Sequence, residues 1–293
     1  MLNFTLPNFF QNQEVNAFLI SMVKIHADKL YNKNINICAE SGSAPYLSWS
    51  GGLNSNYGTG IFYDALVDFQ RNLYIPKRLN MSNVLLEDYD YDDCQGQAIL
   101  RIFDDGSSVI ELSSIPFMEK IHNDFPNYRF MFSKQADLIT EFTPELLNEI
   151  ANIENITILG IPDKYTFNKE WLKQLSKKSK CEITVNPYCP ATCEKCDRCL
   201  LQEHQNQIEY LGMQNIANCV KRNDIYDIRH IVTIEDISKE YVKMGFTHYT
   251  FNYFYGGDHD FWASFYVMYF FKPEYHNIIF AEWAKFKGGH FYG

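Results

Sequence analysis

Apolar side chains at Val15, Phe18, Leu19, Met22, Val23 and Ile25 fall at the spacing of one helical face, which predicts a helix within residues 12–31. After it the chain alternates short β-rich runs with helical patterns. The runs at 35–39, 73–79, 108–113, 128–133, 156–161, 181–186, 229–232 and 248–252 read as strands. Between and after them lie helical patterns at about 58–71, 84–102, 115–124, 144–152, 168–178, 203–222, 235–244 and 258–271. Strand and helix in strict alternation is the signature of an α/β protein, and this number of pairs predicts a (β/α)8, TIM-barrel-like fold. On this reading residues 1–34 form an N-terminal helical extension, residues 35–293 form the barrel, and a cysteine loop occupies 187–204. Thr143-Pro144-Glu145 gives one helix a cap followed by Pro at its first position. Asp104-Asp105-Gly106 and Gly256-Gly257-Asp258 read as turns.

A barrel sorts residues by position, because the C-terminal ends of its strands carry the active face. The residues at those ends are Glu40 and Ser41, Asn80 and Ser82, Ser113 and Ser114, Ser133 and Lys134, Asp163 and Lys164, Asn186, Glu235 and Asp236, and Asn252. The cysteine loop, which follows the strand at 181–186, falls on the same face. That placement favours function over a structural staple.

The length of 293 residues is ample for one large core, and no low-complexity linker divides it. A net charge of -10 argues against a general nucleic-acid-binding surface. The N-terminus lacks the basic and apolar regions of a signal peptide, and the longest apolar run, 261–271, is too short to span a membrane. A reducing cytoplasm is the expected location.

Four of the eight cysteines, Cys189, Cys193, Cys196 and Cys199, fall within eleven residues at C-x3-C-x2-C-x2-C spacing. Cys38, Cys94, Cys181 and Cys219 are scattered and read as small buried hydrophobes. The clustered four are surrounded by polar and charged residues. A disulfide there would need an oxidising compartment and would close small, strained loops. Metal ligation explains the density better. Structural zinc normally takes two Cys-x2-4-Cys knuckles separated by a spacer, which is missing here. A wide 4Fe-4S cluster wrapped by one loop suits the contiguous run, and zinc is the alternative. Cys189, Cys193 and Cys196 also satisfy the C-x3-C-x2-C pattern of radical S-adenosylmethionine enzymes, although that motif follows the first barrel strand and this one lies far downstream. His204 is a candidate fifth ligand or proton donor, weighed against an ordinary hydrogen-bonded histidine. Lys195 and Arg198 would offset thiolate charge.

Other constellations have both a chemical and a structural reading. The long loop 39–54 offers Gly51-Gly52 for close approach of a ligand, with Tyr46 and Trp49 as stacking surfaces, or it is simply a packed surface loop. Thr233-Ile234-Glu235-Asp236 resembles a capping box. Asp258-His259-Asp260 suits acid–base work, or Asp258 caps the last predicted helix. With no GxSxG motif, a serine hydrolase is not indicated. Glu40, Asn186, His204 and Glu235 remain as candidate catalytic residues.

Ile183-Thr184-Val185-Asn186 leading into a cysteine loop, then Thr233-Ile234-Glu235-Asp236-Ile237, Tyr241 and Gly245-Phe246, resembles the C-terminal part of the barrel in the collagenase-like U-type peptidase superfamily and in related uncharacterised barrel proteins of bacteria and phages. The similarity covers roughly residues 150–255. It implies cysteine-held iron–sulfur clusters and, for several members, hydroxylation of tRNA or quinone precursors. Two departures put substrate and reaction in doubt. All four cysteines here share one loop, and Asn252-Tyr253-Phe254-Tyr255-Gly256-Gly257 stands where that family has Lys and Gly-Arg.

The functional expectation is an iron–sulfur barrel enzyme, an oxidoreductase, hydroxylase or radical-type catalyst acting on a small or nucleoside-like substrate. The alternative is a non-catalytic protein with a four-cysteine zinc site that binds a protein or ligand partner.

Overall fold

The computed structural model describes residues 1–10, 12–44, 47–51, 75–187, 196–208, 231–253 and 258–290. Eight strands, β1 Leu2–Leu6, β2 Ile35–Gly42, β3 Lys77–Asn80, β4 Val109–Leu112, β5 Arg129–Phe132, β6 Ile156–Gly160, β7 Cys181–Thr184 and β8 His248–Thr250, pair in chain order into a closed barrel. Every pairing is parallel, and β8 returns to β1 through Asn3↔His248, Phe4↔Tyr249 and Thr5↔Thr250. The fold is therefore α/β and TIM-barrel-like.

One strand differs from the prediction. Leu2-Asn3-Phe4-Thr5-Leu6 alternates apolar and polar residues, and it is β1. Residues 1–34 thus hold the first strand of the barrel and its helix α1, Gln13–Ile25, and are not an appendage. The run predicted at 229–232 is not a strand where it is described: Val232 donates its amide to the Val185 carbonyl at 2.8 Å and stands outside the ladder.

The described helices continue with α2 Cys94–Phe103, α3 Ile115–Asp124, α4 Pro144–Ile150, α5 Lys169–Lys173 and α6 Cys196–Ile208. A continuous run, α7, then joins Ile234–Asp236, a π-helical turn at Ile237–Tyr241 and Val242–Met244, and α8 His259–Phe270 and α9 His276–His290 follow. The predicted helix at 58–71 lies outside the described residues. Sequence signals set several of the ends. Thr143 accepts from the Leu146 amide, Asp258 from the Phe261 amide, and Thr233 and Asp236 form a reciprocal capping box. Gly245, at φ 104°, takes the left-handed turn that stops α7 before β8.

The apolar core lies between strands and helices. Phe4 of β1 stacks on Tyr249 at 5.3 Å between centroids and meets Phe270 of α8 edge-on at 5.0 Å. The alternate residues of the strands face the barrel interior, which is polar: Thr5, Arg78, Glu111, Glu182, Thr184 and Thr250 occupy positions where such barrels usually carry Val, Ile or Leu. Among the described residues, no helix is long and apolar enough to cross a membrane.

Candidate functional site

Strands β3 and β7 stand opposite each other in the ring, four places apart, and a buried ion pair joins them across it. Arg78 donates Nη1 to Glu182 Oε1 at 2.5 Å and Nη2 to Oε2 at 2.7 Å. Thr5 of β1 completes the group, accepting from Nη2 at 3.0 Å and donating to Glu182 Oε2 at 3.2 Å. Both charges are almost wholly enclosed, so each depends on the other for compensation of its lost hydration.

Above this pair is a pocket toward the C-terminal strand ends, lined by Ser41, Arg78, Glu111, Met131, Lys134, Gly160, Glu182, Thr184, Thr250, Phe251 and Asn252. The room open to the centre of a water molecule is about 20 Å³. That space takes a water or one small functional group. Lys134, just past β5, gives its three N–H donors to Asp163 Oδ1 at 2.6 Å, Thr184 Oγ1 at 2.9 Å and Asn252 Oδ1 at 2.9 Å. Asn252 Nδ2 returns to Asp163 Oδ2 at 2.9 Å. With all three donors engaged by acceptors, the Lys134 side chain is held in place and ties β5, β6 and the end of β8 together. A Cβ on Gly160 would come within 2.7 Å of the Lys134 amide, so glycine there lets the lysine's backbone lie against β6.

Glu111 of β4 differs from the other acids. Its Oε1 accepts from Ser133 Oγ at 2.6 Å, and among the described residues Oε2 has no hydrogen-bond partner. Removal from water raises its pKa above the ordinary range, an effect that Arg78 and the Ser133 hydroxyl only partly offset.

The candidate residues named from the sequence separate into three groups. Ser41, Ser133, Lys134, Asp163, Asn186 and Asn252 come together at the mouth. Asn186 is used structurally: it accepts the Asn252 amide at 2.8 Å and donates to the Asn252 carbonyl at 2.9 Å, tying the ends of β7 and β8. Glu40 is fully buried on the opposite side of β2 from Ser41, where it pairs with Lys77 at 2.5 Å, and among the described residues its Oε1 has no hydrogen-bond partner. Glu235 is exposed on α7 and paired with Lys239, outside the pocket.

His204 is enclosed in protein. Its Nδ1 accepts from the Val84 amide at 3.2 Å, its Nε2 approaches Gln135 Oε1 at 3.5 Å, and Asn83 donates to its carbonyl at 3.0 Å. Burial lowers its pKa to about 3, which keeps the ring neutral. These contacts, and the packing of α6 on the turn Lys134–Leu138, carry α6 from the end of β7 to the rim beyond β3 and β5.

Of the cysteines, Cys189, Cys193 and Cys219 lie outside the described residues. Cys196 opens α6, and Cys199 follows three residues later and is half-buried. Among the described residues, no three His, Cys, Asp or Glu side chains gather as a metal-binding group. Cys181 is buried as expected, and burial pushes its thiol up to about 12. Cys38 is half-buried, donating to the Phe4 carbonyl at 3.4 Å. Cys94, by contrast, is exposed, because it occupies the first turn of α2 on its solvent side.

The long loop proves to be packing where it is described. Trp49 is fully buried, stacked on Tyr91 at 6.2 Å, with Nε1 donating to the Asp90 carbonyl at 2.8 Å. Gly51 meets protein and not ligand, since a Cβ there would lie 2.4 Å from the Ser82 backbone. Tyr46 and Gly52 lie outside the described residues.

No protein-family model, curated protein or solved structure matches the chain. The assignment of the fold rests on the strand order itself, and the resemblance to the U-type peptidase superfamily rests on the quoted motifs.

Arg78, Glu111 and Glu182 were not singled out from the sequence. Their signal is a charge in the middle of a short apolar strand, as in Val109-Ile110-Glu111-Leu112 and Cys181-Glu182-Ile183-Thr184. In a strand whose neighbours face the core, such a charge must face a polar interior.

Proposed function

We propose that the protein is a barrel enzyme working at the polar mouth above the Arg78–Glu182 pair, with a 4Fe-4S cluster held by Cys189, Cys193, Cys196 and Cys199 beside that mouth. The observation that carries the reading is the position of the two described ends that flank the cysteine segment. The segment leaves β7 beside Thr184 and Asn186, two groups of the polar network, and α6 is pinned through His204 to the opposite rim. Eight residues, 188–195, join these two ends, and they hold Cys189 and Cys193. The donor set fits a cluster: four thiols in one short segment, with Arg198 among them to balance thiolate charge.

Bound there, the cluster supplies one-electron chemistry next to the pocket. The rest of the work belongs to the chain. Lys134 and Arg78 bring positive charge to the mouth, and Asp163 and Glu182 hold both side chains in place. The substrate is a small polar or nucleoside-like molecule that places one functional group into the pocket while the remainder stays above it.

Metal and sulfide analysis with an absorption spectrum of protein purified without oxygen tests the reading. A brown protein with about four irons per chain is expected. Cys189→Ser with Cys193→Ser should lose the iron while far-ultraviolet circular dichroism keeps the barrel signature. A colourless protein with about one zinc per chain would overturn the cluster and leave a zinc-stapled binding protein.

A further inference from the structure

Among the acids of the mouth, Glu182 is taken by Arg78 and Thr5, and Asp163 by Lys134 and Asn252. Among the described residues, one carboxyl lining the pocket keeps an uncommitted oxygen. Glu111 is held at Oε1 by Ser133 and has Oε2 free of protein partners among the described residues, in a space sized for one small group. From this geometry we infer that Glu111 is the proton donor of the pocket, acting on the carbonyl or hydroxyl oxygen of a small neutral substrate.

The surrounding charges select that ligand class. Arg78 on β3 and Lys134 beyond β5 face the carboxyl as fixed cations, balanced by Glu182 on β7 and by Asp163 beyond β6. With Glu111 neutral the formal charges cancel. An ammonium entering this space would meet two cations, and a carboxylate would lie beside two anions. A neutral oxygen meets a proton donor. The Oε2–H bond breaks as the proton passes to a lone pair of that oxygen, polarising the bond from the oxygen to carbon, and the negative charge is left on Glu111. There the Ser133 hydroxyl, Arg78 and Lys134 stabilise it until a proton returns from solvent.

This inference rests on the mouth being an active site, but it does not need the cluster, and its test is separate. Infrared difference spectra between the protein and its Glu111→Gln variant isolate the C=O stretch of that one carboxyl. The expected result is a protonated band that persists above the ordinary glutamate value of about 4.3, shifts when the solvent is D2O, and shifts again on addition of formamide while remaining protonated. Ser133→Ala removes a bond that favours the carboxylate and should move the titration further upward, which gives a second reading should Glu111→Gln not fold. A carboxyl that ionises in the ordinary range, or one that formamide leaves unperturbed, would overturn the assignment. So would ionisation of the band by methylammonium with no response to formamide. Iron content is measured on the same samples, so loss of the cluster reading and loss of the Glu111 reading remain distinguishable.

Discussion

At the scale of single residues, the Arg78–Glu182 pair is the costliest contact in the barrel interior to break. Replacing Arg78 by Met leaves Glu182 buried without its partner, and removal of one member of such a pair typically costs about 3–5 kcal/mol. Denaturant unfolding should show that loss, and Arg78→Met combined with Glu182→Leu should recover much of it, since an apolar pair needs no compensation. His204 adds a dependence on pH. Its folded pKa is depressed from 6.5 to about 3, so the unfolded chain binds the extra proton first as acid is added. The contribution of His204 is thus fully present above 6.5 and is lost on acidification at up to about 1.4 kcal/mol per pH unit. His204→Gln should flatten the fall in stability between pH 6.5 and 5, measured by unfolding at each pH. The sequence made His204 visible only as a lone histidine near the cysteines. Its role as an anchor depends on Asn83, Val84 and Gln135, more than sixty residues away in the chain, which no local pattern could expose.

Elements were more legible, because their signals are local. The helix at 115–124 and the caps at Thr143, Thr233 and Asp258 follow from apolar period and from side chains that satisfy the first free amides. Strand β1 escaped because its alternation spans only five residues and runs directly toward a stronger helical period. Helix α9 shows the opposite limit: its apolar residues spread around the axis as it packs on α1 and α8, and no single stripe announces it. Packing of α2 can be tested at Gly96, where an added Cβ would sit 2.5 Å from the stiff Trp49 ring. Gly96→Ala should destabilise by about 1–3 kcal/mol through overpacking, read as a lower thermal midpoint with quenched or shifted Trp49 fluorescence.

For the whole molecule, closure is the governing fact: β1 pairs with both β2 and β8, so the barrel has no free edge. Deleting residues 1–7 would expose the edges of two strands and uncover Phe251 and Tyr249. The expected outcome is loss of near-ultraviolet dichroism and association in sedimentation, whereas a true appendage could be removed without effect. The barrel class is readable from the strand–helix alternation; the polarity of its centre shows in the sequence only as the lone charges within β4 and β7, and which of them meet across the ring is not a local property. That centre has a kinetic consequence. The Arg78–Glu182 pair crosses the barrel as a floor beneath the pocket. On the proposed enzyme reading, a pocket floored by this pair exchanges its contents with solvent toward the C-terminal strand ends, so a product formed there would depart before the next substrate could enter.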